Sequence, residues 1–114
     1  MPLHMSVAMQ NPALRDKLRQ LARDNAHCWL NNPMLIRRLK PSASERLREI
    51  HVRTLVIGGE RDVSDIHQIV ARLAAEIPGA QKEVLPGAGH LVPMERPEDF
   101  NRLTLGFLPK RHPK

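Results

Sequence analysis

Aromatic side chains are scarce in this chain: one Trp, two Phe and no Tyr among 114 residues. A core built from it must be aliphatic and small, and it lacks the stacking platforms that readers of single-stranded nucleic acid use. The single cysteine, Cys28, excludes an internal disulfide, which suits a reducing compartment, and a cytoplasmic location is expected. No run approaches the ~20 apolar residues of a membrane span. The start, Met1-Pro2-Leu3-His4-Met5, lacks the basic-then-apolar pattern of a signal peptide. His4, His27, His51, His67 and His112 have no metal-ligand spacing and read as surface or packing residues. Cys28 reads as an inert thiol.

The formal net charge of +6 raises the question of an anionic partner. Lys and Arg are spread along the chain, as in Arg15, Arg19 and Arg23, which share one solvated helix face. The one basic cluster is the tail, residues 109–114, which prolines keep extended. No recognition motif accompanies it, so neither nucleic acid nor a membrane is the expected partner.

Residues 1–10 carry no periodic signal, the mark of a terminus without fixed structure. Asn11-Pro12 reads as an N-cap followed by proline at the first helical position, and Leu14, Leu18, Leu21 and Ala22 continue a helix to about His27. Trp29 and Met34 suit packing, or the lining of an acyl or aromatic pocket. Ser42-Ala43-Ser44-Glu45 has capping-box spacing and introduces a short helix through Leu47 and Ile50. Val52 to Ile57 reads as a strand buried on both faces and ended by Gly58-Gly59. Ile66, Ile69, Val70, Leu73, Ala74 and Ile77 form a helical stripe stopped by Pro78-Gly79, and a second strand spans about Gln81 to Leu85. Pro97 opens a last helix, with Phe100, Leu103, Thr104, Phe107 and Leu108 on one face and Pro109 as its stop.

The expected class is α/β: strand, crossover helix and parallel strand, then a C-terminal helix. Such a unit ends both strands on one sheet edge, where open α/β sheets place their chemistry. Gly58-Gly59-Glu60-Arg61-Asp62 and Pro86-Gly87-Ala88-Gly89-His90 therefore meet there. Asp62 suits an orienting carboxylate or a turn-forming Asp, and His90 a general base or an ordinary loop histidine. Asp65 is the second candidate acid, better suited to capping the following helix, and Glu60 faces solvent. Two strands cannot cover three apolar stripes and leave no open edge, so the unit reads as the end of something larger.

Ile50 to Asp62 closely resembles the penultimate strand and acid turn of the α/β-hydrolases. Ile77-Pro78-Gly79-Ala80 resembles the end of the helix that follows, and Pro86 to His90 with Pro93 to Phe100 resembles their last strand, histidine loop and C-terminal helix. The resemblance is specific from Ser44 to Leu108, and residues 11–50 look like the tail of the helical cap. Arg53 stands where the family usually has proline.

The resemblance implies a C-terminal portion of a hydrolase (cap-like residues 11–50, then the strand–helix–strand–helix of 51–108) carrying Asp62 and His90 of a Ser–His–Asp-type triad. The implied parent reaction is hydrolysis of a small ester or related bond, without metal or organic cofactor. The nucleophile elbow G-x-S-x-G occurs nowhere in the chain: none of Ser6, Ser42, Ser44 or Ser64 has the flanking glycines. The chain alone is therefore expected to be inactive, and either a missing N-terminal half or a second copy of itself would be its partner. The rival expectation is a non-catalytic remnant domain acting through that same association.

Overall fold

The apolar stripe between the two glycine motifs winds into helix α2, Ser64–Glu76, and carries the chain from strand β1, Leu55–Gly59, to strand β2, Gln81–Leu85. The computed structural model describes residues 7–27 and 37–109. The strands pair in parallel, in register from Leu55 against Gln81 to Gly59 against Leu85. Before them lie α1, Pro12–Asp24, and a 3-10 segment, Ala43–Glu49; after them come the short α3, Val92–Glu95, and the last helix α4, Pro97–Phe107. No described helix is long and apolar enough to cross a membrane.

Local chemistry explains most boundaries. The Asn11 side chain accepts from the N–H groups of Ala13 and Leu14, capping α1. The helix breaks at Asn25, which bonds the Leu21 carbonyl through both its backbone N–H and its side chain, and Ala26 and His27 are helical again. In the capping-box segment the Glu45 carboxylate accepts from the Ser42 N–H at 2.9 Å. That segment is a 3-10 helix, not an α-helix, with Arg46 outside helical geometry (φ −119°, ψ 18°). Arg72 of α2 donates to its Ser44 carbonyl at 2.8 Å, tying the two together.

Four expectations need correction. Strand β1 begins three residues later than Val52, whose side chain is exposed, and it includes Gly58 and Gly59 instead of ending at them. The ladder sets those limits, since its first contact is the Gln81 N–H with the Thr54 carbonyl. Gly58 stays in the strand through its pairing with Val84, and Val70 of α2 packs close over it: a Cβ there would lie 3.1 Å from Val70 Cγ2. Of the apolar residues in β1 only Val56 is buried, with Leu55 and Ile57 half-buried, because two strands cover little of each other's faces. The N-cap of α2 is Val63, without a side-chain cap, and Asp65 lies exposed in the first turn. Val7–Gln10, within the segment expected to lack structure, form a 3-10 turn that buries Ala8 and touches α3. Cys28, Trp29 and Met34, with His4 and His112, lie outside the described residues.

The core sits beneath the histidine loop. Leu85, Ala88 and Val92 are buried together, with Ile57, Phe100 and Leu103 packed against them. The predicted stripes are only half-covered. In α2, Val70 is buried, whereas Ile69 is exposed. In α4 no residue is buried, and Leu105 and Leu108 face solvent. Arg53 covers one half-buried aromatic, its guanidinium lying 4.5 Å from the Phe107 ring centroid.

Leu85 is 6% exposed at the centre of the best-packed cluster. Leu85→Ala is expected to cost about 2–5 kcal/mol, read as a lower denaturant midpoint. Leu105→Ala, at a position 72% exposed, is expected to change stability by no more than about 0.5 kcal/mol.

Candidate active site

Two turns leave the same end of the sheet and are stitched together by backbone bonds. The Glu60 N–H donates to the Leu85 carbonyl at 3.0 Å, and the Arg61 N–H donates to the Ala88 carbonyl at 2.8 Å. Such close approach requires glycine at residue 59: a Cβ there would collide with the Gly89 carbonyl and lie 2.6 Å from that of Ala88. Gly87 has φ +73°, a conformation costly for other residues, and turns the chain from β2 into the histidine loop.

The stitching brings Asp62 and His90 together. The His90 Nδ1 lies 3.1 Å from Asp62 Oδ2, with the Asp62 side chain 4% exposed and that of His90 39% exposed. The other carboxylate oxygen, Oδ1, accepts from the Val63 N–H at 2.8 Å. A carboxylate accepts only, so Nδ1 carries the proton of the neutral ring and Nε2 carries the free lone pair. An imidazole held in that tautomer can take a proton at Nε2 while the buried carboxylate compensates the charge that forms. Of the two candidate acids, Asp62 makes this contact.

Glu60 is exposed, as expected, and its Oε1 also accepts from the Gly87 N–H at 3.3 Å. Glu95 had no role in the sequence reading. Its Oε2 accepts from the Gly89 N–H at 3.0 Å and its Oε1 from the Leu91 N–H at 2.8 Å, one on each side of His90. The sequence signal for it is faint: an acid four residues after Leu91, where a helix begins, is placed to accept from a free N–H of the first turn. Among the described residues no group of His, Cys, Asp and Glu is arranged to hold a metal ion.

Comparison with known proteins places the chain's likeness among hydrolases. A model of the alpha/beta hydrolase family matches residues 4–103. The chain is 43% identical over 65 residues to a 2-hydroxy-6-oxo-6-phenylhexa-2,4-dienoate hydrolase of Burkholderia cepacia, covering 57% of this chain and 23% of that protein. It is 38% identical over 66 residues to carboxylesterase YbfK of Bacillus subtilis, covering 56% and 22%. Among solved structures, MenH from S. aureus matches with TM-score 0.56 and 35% identity, over 60% of this chain and 25% of that one. The chain thus spans about a quarter of the length of these proteins.

Gly59→Ala tests the stitching. The added methyl is expected to push the histidine loop off the acid turn and break the bond from the Arg61 N–H to Ala88. Amide hydrogen exchange reads this directly, as loss of protection at Arg61 while α2 amides keep theirs.

Proposed function

The chain belongs to the alpha/beta hydrolase family, and on that premise we propose that it contributes the acid and base of a Ser–His–Asp-type triad to the hydrolysis of a small ester or related bond. The observation that carries the reading is the 3.1 Å contact between the buried Asp62 carboxylate and the Nδ1 edge of the half-exposed His90. Support for the substrate class comes from relatives whose names describe hydrolases and a carboxylesterase.

In this reading the nucleophilic hydroxyl and the oxyanion-binding amides come from outside these 114 residues, since no G-x-S-x-G elbow occurs among them. As the hydroxyl oxygen attacks the substrate carbonyl carbon, its proton passes to His90 Nε2 and Asp62 stabilises the imidazolium. Collapse of the tetrahedral adduct breaks the bond to the leaving group, which takes that proton. Water then attacks the acyl-enzyme, its proton again passing to Nε2, and collapse returns that proton to the nucleophile oxygen as the acid departs.

A second reading, association as a non-catalytic domain, is favoured by a different observation. The sheet of the described residues has two strands and so two open edges, and Ile69, Val84, Leu105 and Leu108 lie exposed around it. Pairing with a second copy, or with the remaining strands of a hydrolase sheet, would satisfy the edge N–H and C=O groups and cover those side chains.

The catalytic reading is tested by grafting Ser44–Leu108 over the matching segment of the Bacillus carboxylesterase. The chimera is expected to hydrolyse activated esters, with His90→Ala and Asp62→Asn each lowering kcat about 10⁴-fold. An active chimera indifferent to both substitutions would overturn the assignment. The 114-residue chain alone is expected to show no ester hydrolysis above background, and a His90-dependent turnover would mean that it holds a nucleophile. Association is read by light scattering at micromolar concentration: a monodisperse monomer with one sharp thermal transition would exclude the second reading.

A further inference from the structure

We infer that Glu95 is a positioning residue for His90, its carboxylate holding the imidazole in the tautomer and direction that base catalysis requires. The inference rests on the reading of His90 as the general base.

His90 occupies a loop between β2 and α3 whose backbone must find hydrogen-bond partners away from the sheet. Glu95 supplies two of them, accepting from the N–H groups of Gly89 and Leu91 with separate oxygens. Residues 89 and 91 bracket the histidine: the Leu91 N–H belongs to the peptide that follows the His90 Cα, and the Gly89 N–H to the Ala88–Gly89 peptide one step before the plane that precedes it, so the loop is pinned on either side of His90 by one carboxylate. Glu95 is itself fixed by the short helix it closes, its own N–H donating to the Leu91 carbonyl at 2.9 Å. Side chain and main chain of Glu95 thus clasp Leu91 from both directions. Gly89 fits inside the clasp because it lacks a Cβ, which would stand 2.9 Å from Val7 Cγ2 and 3.1 Å from Glu95 Oε2.

The choice of a carboxylate matters. An amide of the same shape offers one acceptor oxygen and one NH₂ group, so it can satisfy one of the two N–H groups while presenting a donor to the other. Hydrogen bonds to an ionised acceptor are also about twice as strong as neutral ones. A residue serving only to close α3 would need the Leu91 contact alone; the Gly89 contact reaches across the histidine and bears on its orientation.

The experiment is ¹⁵N NMR of the imidazole in the complete 114-residue chain, at alkaline pH where the ring is neutral, for the wild type, Glu95→Gln and Val92→Ala. The wild type is expected to hold the Nδ1-protonated tautomer. In Glu95→Gln the ratio of Nδ1- to Nε2-protonated ring is expected to fall about tenfold or more, the loss of one charge-assisted hydrogen bond, with β1 and β2 amide shifts unchanged. Val92→Ala, which removes buried core contacts beside the loop, is expected to lower stability and leave the tautomer ratio intact.

A wild-type ratio retained in Glu95→Gln would overturn the role of Glu95. So would a loss matched by Val92→Ala, or a Glu95→Gln chain that no longer shows the strand amides, since either would make Glu95 a general support of the fold. A wild type with no preference for Nδ1 would instead sink the Asp62–His90 pairing itself, and the two failures are thereby distinguished.

Discussion

The parallel pairing of β1 and β2 continues past the last ladder residue, and the site depends on that continuation. Two main-chain bonds, from Glu60 to Leu85 and from Arg61 to Ala88, clamp the acid turn to the histidine loop. The side-chain contact between Asp62 and His90 could not order these loops unaided. A hydrogen bond to a charged group contributes about 1.5–3 kcal/mol, whereas fixing the backbone of each loop residue costs about 1–2 kcal/mol. The clamp and the side-chain contact together hold both turns, with the imidazole against the carboxylate. Gly59 permits the clamp, because any side chain there would occupy the space of the Gly89 carbonyl.

Carboxylates do unusual work in a chain with a formal charge of +6. Around the histidine loop, Glu60, Asp62 and Glu95 each accept a main-chain N–H: Gly87, Val63, and Gly89 with Leu91. These amides lie outside the ladder, and an unpaired amide at a part-buried position is costly. The acids replace the sheet as hydrogen-bond partner where the chain leaves it. Elsewhere Glu45 also accepts a main-chain N–H, that of Ser42, and exposed pairs such as Arg46 with Glu49 and Arg102 with Asp99 carry small energetic weight. The Glu49 carboxyl is held below its ordinary range, chiefly by the hydrogen bond from Arg46.

Packing is concentrated at the end of the sheet that carries the site. Leu85, Ala88 and Val92 are buried beneath the histidine loop, while α4 presents Leu105 and Leu108 to solvent. With so few aromatic residues, Phe100 and Phe107 are only half-buried, and the Arg53 guanidinium serves as the cover of Phe107. These apolar positions stay exposed in a chain that spans about a quarter of the length of the relatives it matches.

Sequence alone determined the order of strand, helix and strand, the parallel sense of the pair, and the arrival of the acid turn and the histidine loop at one edge. Those follow from local periodicity, from proline and glycine punctuation, and from the rule that a crossover returns both strand ends to one edge. The cap of α1 was legible for the same reason, since Asn11 and Pro12 act within one helical turn. That Asp62, and not Asp65, is the acid facing His90 was implied only by the resemblance to the α/β-hydrolases. Tertiary structure decided what depends on a distant neighbour. Gly58 and Gly59 read locally as a strand end, yet they belong to β1 because they pair with Val84 and Leu85 of β2, and the close approach of Val70 and the histidine loop leaves no room for a side chain there. The 3-10 form of Ala43–Glu49 and the shallow burial of the stripes in α2 and α4 depend on what packs beside them. Glu95 carried only the faint signal of an acid near a helix start, because its second contact, across His90 to the Gly89 amide, is a property of the folded turn.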